Sequence, residues 1–186
     1  VITGPMTNIA LAFIMAPDIA EGIEELIIMG GADREGGNIT PFAEFNIFAD
    51  PHAAEVVFRI GRPILVLDMD VTHQLRTSKS RLAAIRALPS QQARAAADCL
   101  EASCELELKA TSIWEAPLHD PSTILALLRP DLFSGRQASV SVVTTPGDRF
   151  GQTQVSYDPA GNVLWYENAD ANAVFAKLTG LLERYG

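Results

Sequence analysis

The loop that follows the apolar run from Glu25 to Met29 is rich in side chains that bind hydroxyl groups. It carries Asn38, Glu44 and Asn46 within nine residues. An amide both donates and accepts hydrogen bonds and a carboxylate accepts several, so this set suits a polyhydroxylated ligand such as a sugar. In parallel α/β sheets, ligands bind outside the carboxyl ends of strands, where this loop would lie. Spacing alone equally allows the two amides to satisfy only the backbone of the loop.

A second candidate is the segment Pro117-Leu118-His119-Asp120-Pro121. A histidine can act as an acid or base, and a neighbouring aspartate can bind a metal ion. The same residues are also typical of a helix entry, with Asp120 as the N-cap before Pro121. The segment by itself favours the N-cap interpretation.

Two further segments combine a strand end with polar groups. Thr3 to Asn8 would expose backbone groups at the edge of the sheet, or form a plain turn with a capped helix. Asp68, Asp70 and His73 follow a predicted strand, and they could bind a metal ion or only cap a helix and bond to loops. Spacing does not separate these interpretations.

Strands and helices alternate in the part of the chain that would position these residues. Buried strands are predicted at 25–29 and 63–67. The predicted helices are residues 7–15, a segment from Asp50, segments that begin at Thr77 and Ser90, residues 122–128, and a final helix that buries Val174, Phe175 and Tyr185. This alternation predicts an α/β fold with a parallel sheet.

The last third of the chain follows a different pattern. It is predicted to form three strands, at 138–144, 152–157 and 163–166. Asp158 to Asn162 has the composition of a turn between the last two strands. We therefore expect a late antiparallel hairpin at one side of the sheet, within a single domain that covers residues 1–186.

The overall charge argues against binding to nucleic acid. The chain of 186 residues has 14 Lys and Arg against 23 Asp and Glu, a formal charge of -9, whereas nucleic-acid sites are usually basic. No apolar run reaches the length of about 20 residues that a membrane span needs. Cys99 and Cys104 are five residues apart in a predicted helix and point to different faces. We therefore expect free thiols and a reducing, cytoplasmic location.

Four stretches taken together resemble the inosine-uridine preferring nucleoside hydrolase family. They are TGPMTNIALA, IIMGGADREGGNITPFAEFNIFADPHAAEVVF, LDMDVTHQ and PLHDP. Their order and spacing are similar to those of the family over nearly the whole chain. The resemblance implies an open, mostly parallel, Rossmann-like sheet with flanking helices, and a homodimer or homotetramer. It also implies hydrolysis of the N-glycosidic bond of ribonucleosides by a water bound to Ca²⁺.

The resemblance also implies roles for particular residues. The Thr3 carbonyl and the Asp120 carboxylate match ligands of Ca²⁺. Asn38, Glu44 and Asn46 match ribose-binding positions, and Met29 matches a residue packed near the sugar. His119 matches the position proposed to protonate the leaving base, a role that suits a histidine with a pKa near neutrality.

The chain departs from the family in two respects. The family begins with an aspartate cluster of the type DxDxxxDD, which supplies most metal ligands, and no stretch here matches it. The chain opens on Val1 and Ile2, which have the pattern of a strand end, so we expect the N-terminal strands to be missing. The alternative function is therefore a non-catalytic remnant that binds ribose or nucleosides. The helix before PLHDP has no tyrosine, and Trp114 is off the expected spacing, which leaves the base preference open.

Overall fold

The computed structural model describes residues 1–184, and Tyr185, predicted to be buried by the last helix, lies outside them. The strands are β1 Leu26–Met29, β2 Ile64–Leu67, β3 Phe133–Val142, β4 Thr153–Tyr157 and β5 Val163–Ala169. The helices are α1 Thr7–Met15, α2 Phe45–Ala49, α3 Pro51–Phe58, α4 Met69–Thr72, α5 Lys79–Arg86, α6 Gln91–Thr111, α7 Asp120–Leu128 and α8 Ala171–Glu183. Short 3₁₀ helices occupy Pro17–Gly22 and Pro130–Leu132.

The five strands form one open sheet in the order β1-β2-β5-β3-β4. β1, β2 and β5 are parallel, and Ile2 extends this part through a parallel bridge to Ile28. β3 is antiparallel to both β5 and β4. The α/β class and the open sheet with added antiparallel strands are therefore confirmed.

The hairpin was predicted between the last two strands, but it forms between the two strands before the last. β4 and β5 are not neighbours, because both pair with β3 from opposite sides, so the hairpin is formed by β3 and β4. Tyr157 and Val163 both lie opposite Ala138, and the turn between them crosses β3. A Cβ on Gly161 would lie 2.0 Å from the Ala138 carbonyl oxygen, so the crossing requires a glycine at this point.

Helices cover both faces of the sheet, as the apolar pattern of the strands requires. Leu26 and Ile28 of β1 face a core that includes residues of α1 and α3. Ile27 faces the opposite core, which includes residues of α7 and α8. A smaller cluster joins α5 and α6 to α8. Both faces of β1 are therefore covered by helices.

Two of the predicted N-cap residues are found at the starts of the helices. Asp50 caps α3 with Pro51 in its first turn, and Ser90 caps α6 by accepting from Ala93 N–H at 3.1 Å. The predicted cap at Thr77 is wrong, because Ser78 accepts from Arg81 N–H, and the buried Thr77 hydroxyl has no partner among residues 1–184. A cap one residue later follows from the backbone bond that Thr77 N–H donates to the Ala116 carbonyl.

The expectations for thiols and membrane spans concern single features of the chain. Cys99 and Cys104 are both free, as predicted. Within residues 1–184, no helix combines the length and the apolar character needed to cross a membrane.

Candidate active site

One cleft, with a volume of about 620 Å³, is lined by all seven residues that the sequence analysis selected. They are Thr3, Met29, Asn38, Glu44, Asn46, His119 and Asp120. Met29 is the last residue of β1, so the cleft lies at the carboxyl end of a parallel strand, as in other α/β proteins. A larger groove, of about 780 Å³, lies between α3 and the β3–β4 hairpin, but no acidic or histidine side chain lines it.

Glu44 is almost fully buried, with 3% of its surface exposed. Its carboxylate accepts three backbone N–H bonds, from Gly31 at 3.0 Å, Asn46 at 2.8 Å and Ile47 at 3.2 Å. Burial raises its pKa, against the lowering effect of these three bonds, and the negative charge of Asp120 raises it further. Gly31 has φ +85°, a conformation that favours glycine, which lets its N–H reach Glu44.

The two asparagines are partly engaged by the backbone. Asn38 Oδ1 accepts from Phe45 N–H at 2.9 Å, and Asn46 Nδ2 donates to the Met29 carbonyl at 3.1 Å. The other amide atom of each side chain, Nδ2 of Asn38 and Oδ1 of Asn46, makes no hydrogen bond with residues 1–184. The backbone interpretation and a ligand-binding role are therefore compatible, because an amide offers groups of both kinds.

The cleft also contains two oxygen groups of another kind, the Asp120 carboxylate and the Thr3 carbonyl. Asp120 is the first residue of α7, and the residue before it, His119, is the N-cap, without a side-chain capping bond. The N-cap interpretation of Asp120 is therefore wrong. Neither its carboxylate nor the Thr3 carbonyl accepts a hydrogen bond from residues 1–184. Burial raises the pKa of Asp120, and such a carboxylate has a strong need for a hydrogen-bond donor or a cation.

His119 lies between the cleft and a buried threonine. Its Nδ1 is 2.9 Å from Thr72 Oγ1, and its ring centroid is 5.7 Å from that of His73. Burial lowers the pKa of His119 to about 4, and the nearby His73 and Arg76 add to this effect. The expectation of a pKa near neutrality is therefore wrong. The ring is desolvated, and the positive charges of His73 and Arg76 disfavour its protonation.

The side chains of the second acidic segment, residues 68–73, are bonded to other parts of the protein. Asp68 caps α4 by accepting from Val71 N–H at 3.1 Å, and it accepts from Trp165 Nε1 at 3.0 Å. Asp70 accepts from the backbone N–H groups of Arg34 and Glu35, each at 2.8 Å. His73 Nδ1 is bonded to the Glu35 carboxylate. These bonds favour a structural role, in which the segment holds the start of the 30–46 loop.

One wall of the cleft was not anticipated from the sequence. It consists of α6 residues, namely Cys99, Leu100, Ser103, Leu106, Glu107 and Ala110. Leu108 is 40% exposed, whereas its neighbour Glu107 lines the cleft and pairs with Arg76 at 3.1 Å. Trp114 does not line the cleft, and its Nε1 donates to Glu105 at 2.7 Å.

Comparisons with curated proteins give long matches. The chain is 40% identical to an uncharacterised protein of Schizosaccharomyces pombe over 187 positions, 98% of this chain and 59% of that protein. It is 43% identical to a protein of Shewanella woodyi named pyrimidine-specific ribonucleoside hydrolase RihA, over 86% of this chain and 52% of the relative. The chain therefore spans between half and three fifths of the length of these relatives.

Solved structures match the fold over nearly the whole chain. A plant nucleoside hydrolase superposes with a TM-score of 0.88 at 29% identity, covering 97% of this chain and 60% of its own. A purine-preferring ribonucleoside hydrolase from Gardnerella vaginalis gives 0.87 at 28% identity, covering 98% and 61%. The family model of the inosine-uridine preferring nucleoside hydrolases matches residues 1–176. With the cleft described above, these matches show that the chain belongs to the inosine-uridine preferring nucleoside hydrolase family.

Proposed function

We propose that the protein hydrolyses the N-glycosidic bond of ribonucleosides and releases ribose and a free base. The observation that carries this proposal is the meeting of the seven selected residues in one cleft at the end of β1. Relatives that share the family are named ribonucleoside hydrolases, one pyrimidine-specific and another purine-preferring. We leave the base preference open, since these two names differ.

We propose that the Thr3 carbonyl and the Asp120 carboxylate hold a calcium ion together with other ligands. Both are oxygen ligands of the kind that Ca²⁺ prefers, and neither accepts a hydrogen bond from residues 1–184. Residues 1–184 contain no cluster of three or more His, Cys, Asp or Glu side chains that could hold a metal. Two oxygens are only part of the six to eight that Ca²⁺ takes. When bound, the ion would orient ribose hydroxyls and activate a water molecule.

The ribose would lie against Asn38, Glu44 and Asn46, with Met29 beneath it. The free ends of the two amides supply hydrogen bonds to sugar hydroxyls. Glycosidic cleavage passes through a state with positive charge on the sugar. A buried carboxylate such as Glu44, held in place by three N–H bonds, stabilises that charge without having to reorganise.

We propose that His119 interacts with the leaving base and supplies its proton. Because its pKa is lowered to about 4, the ring is neutral at pH 7 before the reaction. Negative charge that develops on the departing base favours the protonated form of a neighbouring imidazole. The ring therefore takes up a proton from solvent at Nε2 once the nucleoside is bound, and it passes that proton to the base as the glycosidic bond breaks, as in other general acid catalysis.

A second function, binding of nucleosides without hydrolysis, is favoured by one observation. The sequence from Val1 to Gly186 has no DxDxxxDD pattern, and the cleft offers two candidate metal ligands. A protein that lacked the remaining ligands would still present the ribose-binding side chains. Binding without turnover would therefore identify this alternative.

The test is a hydrolysis assay on the full-length protein with uridine, cytidine, inosine and adenosine. Release of reducing sugar is measured with calcium, after chelation and after calcium is restored. We expect release from at least one nucleoside, its loss on chelation and its recovery with calcium. Binding of a nucleoside without release would support the alternative, and release that chelation leaves unchanged would contradict the metal role.

A further inference from the structure

Thr72 connects the cleft to the backbone of α4. It is fully buried, and its Oγ1 makes two short contacts, at 2.8 Å to the Asp68 carbonyl and at 2.9 Å to His119 Nδ1. A third contact, to the Met69 carbonyl, is longer at 3.3 Å. The hydroxyl is therefore placed between a carbonyl group and the ring of a residue that lines the cleft.

The number of protons at these contacts decides which atom donates. A threonine hydroxyl has one proton, and a carbonyl oxygen only accepts. The contact of 2.8 Å between Thr72 Oγ1 and the Asp68 carbonyl therefore uses the hydroxyl proton. The contact of 2.9 Å to His119 then needs a proton from the ring, and so Nδ1 carries it.

We propose that Thr72 is a positioning residue that keeps a ring proton of His119 on Nδ1, so that Nε2 is the ring nitrogen presented to the cleft. His119 lines the cleft, and Nε2 has no hydrogen-bond partner within residues 1–184. With Nδ1 turned to Thr72, Nε2 is the ring nitrogen left for a ligand. It would accept from an O–H or N–H group, such as a ribose hydroxyl or a base N–H.

The polar side chains beside the ring, His73 and Arg76, are held by bonds of their own. The His73 ring lies 5.7 Å away at an interplanar angle of 52°, and His73 is itself bonded to Glu35. Arg76 is anchored by Glu107 and by the carbonyls of His73 and Glu115. The only acceptor placed at Nδ1 by the described residues is therefore the threonine hydroxyl.

This inference concerns the same cleft, and it rests on the proposed function only for the identity of the ligand that Nε2 would meet. The tautomer itself follows from the Thr72 contacts. A spectroscopic test therefore gives a result whether or not the protein hydrolyses nucleosides.

The test is nitrogen NMR of the protein with ¹⁵N-labelled histidine at pH 7.5, where a neutral imidazole shows which nitrogen holds the proton. The chain has three histidines, and a His119→Gln variant assigns the signals of His119. We expect a protonated Nδ1 and a bare Nε2 in the wild-type protein. A bare Nδ1 with a protonated Nε2 would overturn the proposal.

Two substitutions test the role of Thr72. Thr72→Ser keeps the hydroxyl and should keep the Nδ1–H tautomer. Thr72→Val has a similar volume but no acceptor, so we expect His119 to shift toward the Nε2–H form, with the backbone amide spectrum otherwise preserved. An unchanged tautomer in a folded Thr72→Val protein would show that Thr72 does not select it. If that variant does not fold, the wild-type and Thr72→Ser spectra still decide the assignment.

Discussion

Two acidic regions at the same edge of the sheet differ in how their carboxylates are satisfied. In the cleft, the Asp120 carboxylate and the Thr3 carbonyl accept no hydrogen bond from the described residues. In the second region, the β2-end cluster of Asp68, Asp70 and His73, each side chain is bonded to a neighbouring loop, helix or strand. Both regions combine an aspartate with a histidine, Asp120 with His119 and Asp70 with His73. The difference in partners separates a site that can take a ligand from a part of the scaffold.

Two bonded carboxylates, Asp70 and Glu44, hold the loop that follows β1. Asp70 binds the backbone at Arg34 and Glu35, which fixes the start of the 30–46 loop. Further along the loop, Glu44 binds Gly31 N–H, which closes the loop on itself. The satisfied carboxylates therefore hold the loop that carries the free amide groups of the site.

The largest effect that differs between substrates is expected at His119. General acid catalysis is worth about 10² to 10⁴-fold, so His119→Ala should reduce turnover of natural nucleosides by that factor. Nitrophenyl riboside should be largely spared, because nitrophenolate leaves without a proton. Asp120→Ala should impair both substrates. Equal slowing of both substrates by His119→Ala would contradict the leaving-group role and indicate that the ring positions the ribose.

Glu44→Gln should lower kcat by roughly 10²-fold, because a buried charge near the ribose is lost. The carboxylate accepts three N–H bonds, and a glutamine has one acceptor oxygen, so unfolding should also become easier by about 1–3 kcal/mol. Steady-state kinetics and urea unfolding measure the two effects. A variant with lower stability and unchanged kcat would mean that Glu44 belongs to the scaffold alone.

The pH dependence of stability should reveal the buried Asp68. Burial and the charge of Asp70 raise its pKa to about 8, although Val71 and Trp165 donate to it. Because the folded form holds its proton to higher pH than the unfolded form, stability is lost as pH rises from about 4 to about 8, by at most about 1.4 kcal/mol per pH unit. Urea unfolding at pH 6 and pH 8 should show this loss in the wild type and less of it in Asp68→Asn. Equal losses in both proteins would contradict a raised pKa.

The smallest effect is expected at the cap of the cleft wall. Ser90 accepts from Ala93 N–H at the start of α6, so Ser90→Ala should lower the free energy of unfolding by about 1 kcal/mol. Ser103→Ala, on the same helix but in its interior, is the control and should change it by less than about 0.5 kcal/mol. A larger loss in the control would mean that packing against the cleft, and not the cap, stabilises this wall.

Much of the fold follows from local pattern. The apolar runs at 25–29 and 63–67 become β1 and β2, and Asp50 with Pro51 begins α3 as expected. The order of the last strands was not predictable, because apolar alternation does not show which strand lies next to which. The crossing at Gly161 depends on contact with a strand more than 20 residues earlier in the chain.

The candidate site was predictable where short motifs carry it. Asn38, Glu44, Asn46, His119 and Asp120 were selected from their motifs and line one cleft, although their roles stay predictions. The α6 wall was missed, because a helix residue such as Glu107 faces a cleft only through the packing of distant elements. The pKa of His119 was also out of reach, since it depends on burial and on His73 and Arg76.

The most direct test compares two aspartates in the full-length protein, Asp120→Asn and Asp70→Asn, each assayed for nucleoside hydrolysis and for unfolding in urea. We expect Asp120→Asn to lower kcat/KM by about 10³-fold or more, since Lewis-acid stabilisation is worth several kcal/mol, with the free energy of unfolding nearly unchanged. Asp70→Asn should lower the free energy of unfolding by about 1–3 kcal/mol and largely spare kcat/KM in the folded protein. The reverse pattern, with stability lost in Asp120→Asn and activity lost in a folded Asp70→Asn protein, would contradict the division between site and scaffold.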